Sequence, residues 1–251
     1  MIRHPKYTKG NLYLSGGMQM KKDLGASWRK TCSKHLKDLG YLPLDICELD
    51  RAYANAHLEL FYAYDDKFST TEQLQFKSNI RKHFVRTDLK LVDADSDAIV
   101  VLWDKSAALG GGTHNEISHA YEHDIPIFLV TKMEIVKIPG WIISQTTKIF
   151  NSFEELYEYL EKLPDGILRK DMYGNRGTEN MYLCSLCGDT FKKDKHHFVS
   201  KVSPLYCKCC VDVVEKTYEG LVDRYQFFVE YLDEQAIADK VADKLKETAK
   251  E

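Results

Sequence analysis

No apolar run in this chain approaches the roughly 20 residues that a membrane-spanning helix needs, so a helical span is not expected. The opening segment MIRHPKYTKGNLYLS lacks the apolar core of a signal peptide, and a cytoplasmic protein is the expectation. Charge of one sign is also lacking. The formal net charge is −3, and nothing global points to nucleic acid or to an anionic membrane, though a local basic face is compatible with it. There is no internal repeat and no low-complexity tract. Cysteine is scarce in the first half, where only Cys32 and Cys47 occur, but five of the seven cysteines crowd into residues 184–210. That clustering, with an odd total and no leader expected, argues against a disulfide framework and for a metal site.

What is present reads as soluble and globular, with 44% hydrophobic and 29% charged residues. A chain of 251 residues can hold one medium domain and a small appendage, or two small domains. Residues 1–165 alternate strand and helix signals. NLYLSGG is a short apolar strand ending in a glycine turn. GASWRKTCSKHLKDLG has helical spacing, with Gly40 as its C-cap. YLPLDI and IPIFLV are further strands. DAIVVLW is apolar throughout, as a strand covered on both faces should be. Residues 70–95 are mostly helical, in two pieces. RAYANAHLELFYAYDDKFS is an aromatic insertion over the sheet. THNEISHAYEHD is a helix, and SFEELYEYLEKL opens with a Ser-x-x-Glu capping pattern. Strands alternating with helices predict an α/β fold: a doubly wound, Rossmann- or flavodoxin-like parallel sheet of about five strands. Residues 166–180 read as a linker rich in Gly, Pro and Asn. Residues 181–251 hold the cysteine cluster and a C-terminal helix.

In open parallel sheets, ligands sit beyond the carboxyl ends of the strands. Two glycine-bearing loops belong at that edge: SGGMQM after the first strand, and DKSAALGGGTHNE after DAIVVLW. Glycines such as Gly16, Gly17, Gly111 and Gly112 allow a ligand to approach the backbone, and the amides opening the next helix favour a negative group. Glu116 is placed in that first turn, where the helix dipole helps keep it ionised by roughly 0.3–1 kcal/mol. An ionised carboxylate facing a cleft can act as a nucleophile. A plainer reading stands beside this one: Thr113 as N-cap and Glu116 as its capping-box partner.

LYLSGG, then VRTDLKLVDADSDAIVVLW, then GGGTHNEISHAYEHDIPIFLV together resemble the nucleoside 2-deoxyribosyltransferase family, with its relatives the deoxynucleoside 5'-monophosphate N-glycosidases. The elements that carry the resemblance are Gly16-Gly17, Asp88-Leu89, Asp97 before the apolar strand, Gly112-Thr113, Glu116 and Ala120, over roughly residues 11–160. The resemblance implies a deoxynucleoside or deoxynucleotide substrate. It implies that Glu116 attacks C1' and displaces the base, and that water or a second base releases the sugar. It gives Asp88 the substrate or the proton of the leaving base. It sets Gly16 and Gly17 against base or sugar, with Tyr13 as an aromatic wall and Thr113 and Asn115 near the substrate. It implies a homo-oligomer whose neighbouring subunit completes the site. The chain departs from the family at three places. Gly110 stands where the transferases carry a sugar-binding acidic residue, and Asp104 lies nearby but not at the matching place. The first loop offers Ser15 and Gln19 but no Arg for a phosphate, leaving the glycine backbone, Arg81, Lys82 or Arg86. Asn115 stands where a Tyr is usual, beside His114.

Cys184-x2-Cys187, nineteen residues, then Cys207-x2-Cys210 is the spacing of a four-thiolate zinc site. Four thiolates leave no open position, so the expected Zn2+ is structural and no cofactor is expected for catalysis. Cys209 is a spare thiol. Between the knuckles, Lys192, Lys193 and Lys195 form a basic loop that either contacts nucleic acid phosphate or is simply solvated. His196-His197 is similar to the paired His of zinc-ribbon HNH nucleases, although no downstream Asn or His completes that motif. Three functions therefore stand: an N-glycosidase or deoxyribosyltransferase, a non-catalytic nucleotide-binding module, and a zinc-ribbon nuclease.

Overall fold

The structure is a computed structural model that describes residues 4–18, 20–49, 65–169, 176–178, 180–192, 206, 207, 210 and 213. Residues 51–64 of the aromatic insertion, Gln19, the Lys193–His197 loop, Cys209 and, apart from Val213, the expected C-terminal helix lie outside the described residues.

Five parallel strands form one sheet: β1 (Gly10–Gly16), β2 (Tyr41–Leu44), β3 (Ala98–Leu102), β4 (Ile127–Val130) and β5 (Lys148–Phe150). Their spatial order is β2-β1-β3-β4-β5. This is the flavodoxin-like order, in which the chain switches direction between β1 and β3 and leaves a crevice at their carboxyl ends. The α/β fold matches the expectation. The short β5, three residues long, carried no strand signal of its own.

Period-two alternation divides the sheet between two cores. Leu12, Leu14, Val100, Phe128 and Val130 face one side, against α1 (Ala26–Asp38) and α8 (Phe153–Lys162). Tyr13, Ile99, Val101, Ile127 and Leu129 face the other. There they meet α5 (Lys105–Leu109), α6 (Gly111–Glu122) and α7 (Gly140–Gln145). Each fully buried Leu, Ile or Val contributes about 1.5–3 kcal/mol. α1 stops at Leu39, the C-cap, because Gly40 then takes φ +88°, a left-handed conformation suited to glycine. The Ser152 hydroxyl accepts from the Glu155 amide at the start of α8, while the Glu155 carboxylate reaches back to the Asn151 amide at 2.9 Å.

A short helix, α2 (Ile46–Leu49), follows β2. Thr70 to Asp95 is helical throughout but changes pitch. α3 (Thr70–Asn79) opens on a full capping box between Ser69 and Glu72. A wide π-helical turn (Ile80–Val85), α4 (Arg86–Lys90) and a second π-helical turn (Leu91–Asp95) follow. Such wide turns displace side chains from ordinary helical register and recur at functional sites. Asp97, one of the residues behind the family resemblance, works at the opposite edge of the sheet. Its carboxylate accepts from the Asn11 amide at 2.8 Å and locks the start of β1 to β3.

The last described unit is a hairpin of β6 (Met181–Leu183) and β7 (Thr190–Lys192). It is fastened to the sheet domain. Leu183 joins the core that holds Leu160, as do Ile167 and Leu168 from the stretch read as a linker. The Tyr159 hydroxyl donates to the Gly188 carbonyl at 2.6 Å, and Lys148 pairs with Asp189 at 3.0 Å. Among the described residues, no helix is long and apolar enough to cross a membrane.

Candidate active site

A cavity of about 350 Å³ opens beyond the carboxyl ends of β1 and β3. Its size is that of a small-molecule site. The first loop lines it with Gly16 and Gly17, and the start of α6 with Gly110, Gly111, Gly112, Thr113, Asn115 and Glu116. The pitch-changing helical segment forms the opposite wall with Phe76, Ile80, Phe84, Val85, Asp88 and Leu89. Chain segments far apart in sequence thus meet around one space.

Glu116 is the focus. It is 7% exposed, and both carboxylate oxygens accept from hydroxyls of β1. The Tyr13 hydroxyl donates to Oε1 at 2.8 Å, and the Ser15 hydroxyl donates to Oε2. Tyr13 and Ser15 are two residues apart, so the strand presents both on one face. Burial pushes the Tyr13 hydroxyl well above the ordinary tyrosine range, and the charges of Glu116 and Asp88 add to the shift. Tyr13 therefore stays protonated and remains a donor at neutral pH. Asp88, 9% exposed, lines the same cavity from α4.

Three expectations need correction. Thr113 does not cap the helix. α6 starts at Gly111 with Gly110 as N-cap (φ −91°, ψ 132°), and Thr113 is a buried third residue. The capping-box account of Glu116 falls with it, because its carboxylate faces β1. Glu116 is then the sixth helical residue and lies in the second turn, where the dipole's effect has faded. The two hydroxyls hold the carboxylate instead. Tyr13 is fully buried and is not an aromatic wall of the cavity; it orients Glu116 from behind.

Other candidates are also placed. His114 packs on Trp103, with ring centroids 5.0 Å apart, and does not line the cavity. Arg81, Lys82 and Arg86 are exposed on the helical segment and do not line it either. Asp104 caps α5 through the Ala107 amide and pairs with Lys21 at 2.7 Å. Gly17 packs so closely on α5 that a Cβ there would lie 2.3 Å from the Ser106 hydroxyl. At Gly111 and Gly112 a Cβ would meet nothing within 4 Å, so these glycines leave open space for a ligand.

Sequence reasoning missed Ser15 as a partner of Glu116, and it missed Arg29. Arg29 is fully buried, and its guanidinium donates to the carbonyls of Leu14 (3.1 Å), Gly16 (2.8 Å), Gly25 (3.2 Å) and Leu24 (3.4 Å). The alternation of Tyr13 and Ser15 was a usable signal. An arginine inside α1 carried none.

The second candidate centre is the cysteine cluster. One sulfur from each of Cys184, Cys187, Cys207 and Cys210 lies within 4.8 Å of the others, close enough to hold a metal ion. Cys187 Sγ and Cys207 Sγ are 3.7 Å apart. Two thiolates around a tetrahedral ion at about 2.3 Å stand roughly that far apart. Burial disfavours the Cys184 thiolate, but amides of Cys207, Cys187 and Leu186 outweigh it and hold the thiol below its usual value. Burial pushes the Cys187 thiol up to about 12, and the neighbouring Cys184 adds to that.

No protein-family model matches the chain, and no curated protein matches it. Among solved structures, the chain is similar to a 2-deoxyribosyltransferase from the psychrotolerant bacterium Bacillus psychrosaccharolyticus. The identity is 16% and the TM-score 0.39, over 63% of this chain and 95% of that one.

Proposed function

We propose that the protein cleaves or transfers the N-glycosidic bond of a 2'-deoxynucleoside, with Glu116 as nucleophile. The observation that carries this is the clamp on Glu116: two hydroxyls of one strand fix a carboxylate on the wall of a cavity of substrate size. In the proposed reaction a Glu116 oxygen bonds to C1' as the C1'–N bond breaks. The bonding pair leaves with the base, which takes a proton from Asp88 or from water. Water or a second base then attacks C1' and regenerates the carboxylate. Tyr13 and Ser15 keep their protons and act only by holding the carboxylate in line. The base would lie against Phe76, Ile80 and Phe84, and the sugar near Gly112 and Asn115. Among the described residues lining the cavity there is no Lys, Arg or His, which favours an unphosphorylated nucleoside over its 5'-monophosphate. The four cysteines would hold one structural Zn2+, with no position open for chemistry.

A nucleotide-binding module without catalysis has one observation in its favour. Gly110 lines the cavity where a sugar-binding carboxylate would be expected. A product assay decides between them. The protein is incubated with each deoxynucleoside and each 5'-monophosphate, with and without an acceptor base, and products are read by chromatography and mass spectrometry. Free base is expected, and Glu116→Ala should lower its release by at least about a thousandfold. Dependence on the acceptor separates transferase from hydrolase. No base released from any substrate would overturn the enzyme and leave the binding module.

A further inference from the structure

Away from the cavity and the four cysteines, the described residues hold one more cluster of metal-ligating side chains: Asp93, His119 and His123. Asp93 lies in the π-helical turn after α4. His119 lies on α6, and His123 is the C-cap that ends it. The two histidines are four residues apart and so stand over one another on a single helix face. One ligand atom from each of the three falls within 4.8 Å of the others.

The details fit a coordination site better than an ion pair. His119 Nε2 is 3.3 Å from Asp93 Oδ2, yet it makes no hydrogen bond there and is closed off from water. An imidazolium paired with a carboxylate would aim its N–H at the oxygen. Two donors around a tetrahedral ion at about 2.0–2.1 Å stand roughly 3.3 Å apart. His123 Nδ1 is 2.8 Å from the His119 carbonyl. Donation from Nδ1 puts the lone pair of that ring on Nε2, and a metal-bound His commonly fixes its tautomer in this way.

We propose that Asp93, His119 and His123 bind one divalent transition-metal ion, with two imidazoles and one carboxylate as protein ligands and water completing the shell. Imidazole donors select Zn2+, Ni2+ or Co2+ over Mg2+ and Ca2+. The placement gives the site a consequence. Asp88 precedes Asp93 by five residues, and Glu116 precedes His119 by three. The ion staples the helical segment that carries one cavity carboxylate to the helix that carries the other.

The test uses the untagged full chain, loaded with a single Zn2+ equivalent, which the four thiolates take in preference to imidazole and carboxylate. Co2+ is then titrated and followed by calorimetry and visible absorption. One further Co2+ per chain is expected, without a sulfur-to-metal absorption band. Losing an outer partner of a metal ligand costs roughly 10–100-fold in affinity, so Asp93→Asn, His119→Gln and His123→Gln should each cost at least about that. His35→Gln, on α1, should leave binding unchanged. Saturating Co2+ should raise the melting temperature of the wild type above that of its own metal-free form, and should leave that of His123→Gln unchanged from its own metal-free form. No Co2+ bound beyond the cysteine equivalent, or binding that survives all three substitutions, overturns the proposal.

Discussion

The sheet domain and the cysteine hairpin solve the same problem by different means. The sheet buries apolar side chains on both faces and closes its backbone bonds in ladders. The hairpin has two strands of three residues each and a small buried cluster made of cysteines, with Phe191 and Tyr206 packed against it. A two-stranded hairpin is marginal alone in water. It needs the metal, the sheet domain, or both. Leu183, Tyr159 and Lys148 attach it to the sheet, and a metal on the four sulfurs would supply the rest. The lesson is that the larger unit is cohesive everywhere, while the smaller one depends on a few points.

The contrast can be broken most sharply at the four cysteines, which in the proposed reading hold zinc. Structural zinc in small domains contributes on the order of 10 kcal/mol of apparent folding free energy. Chelation, or Cys184→Ser, should remove hydrogen-exchange protection from residues 181–192 and leave that of β1 and β3 intact. Loss of protection in β1 as well would mean that the two units fold as one. The next largest effect lies inside the sheet. Leu14→Ala removes a fully buried side chain from the core of β1 and should cost about 2–5 kcal/mol in denaturant unfolding. The hairpin contacts should weaken with it, because Leu14 and Leu183 share one core. The smallest effect is a titration. The Tyr13 hydroxyl is held above its unfolded value, so above pH about 10 the unfolded chain gives up a proton that the folded chain keeps. Stability is then fully present below that pH and falls as pH rises, by about 1.4 kcal/mol per pH unit for this group. Tyr13→Phe should flatten the slope by that amount, and it should slow base release by leaving Glu116 with one hydroxyl partner. An unchanged slope would place the titration elsewhere.

Much of the sheet could be read from its sequence, because buried parallel strands announce themselves as apolar runs: AIVVL became β3 and IFLV became β4. Strand order could not be read, since pairing is a tertiary property. β5 was too short to carry a pattern. Glu116 was legible through the glycines before it, but its surroundings were misjudged for a local reason. Thr113-x-x-Glu116 imitates a capping box, while the helix in fact begins three residues earlier, on glycines that meet no neighbour. Tyr13 read as a wall because an aromatic near a cleft usually is one. Its hydroxyl found Glu116 only through the packing of α6 on β1.

Arg29 gives the first loop a property that its glycines alone would not. Four of its N–H groups end on main-chain carbonyls of β1 and of the turn before α1. A lysine has no planar fork and could not replace them. The loop beside the cavity is therefore set in shape when the chain folds, not when a ligand arrives. Binding then loses little conformational entropy at that edge.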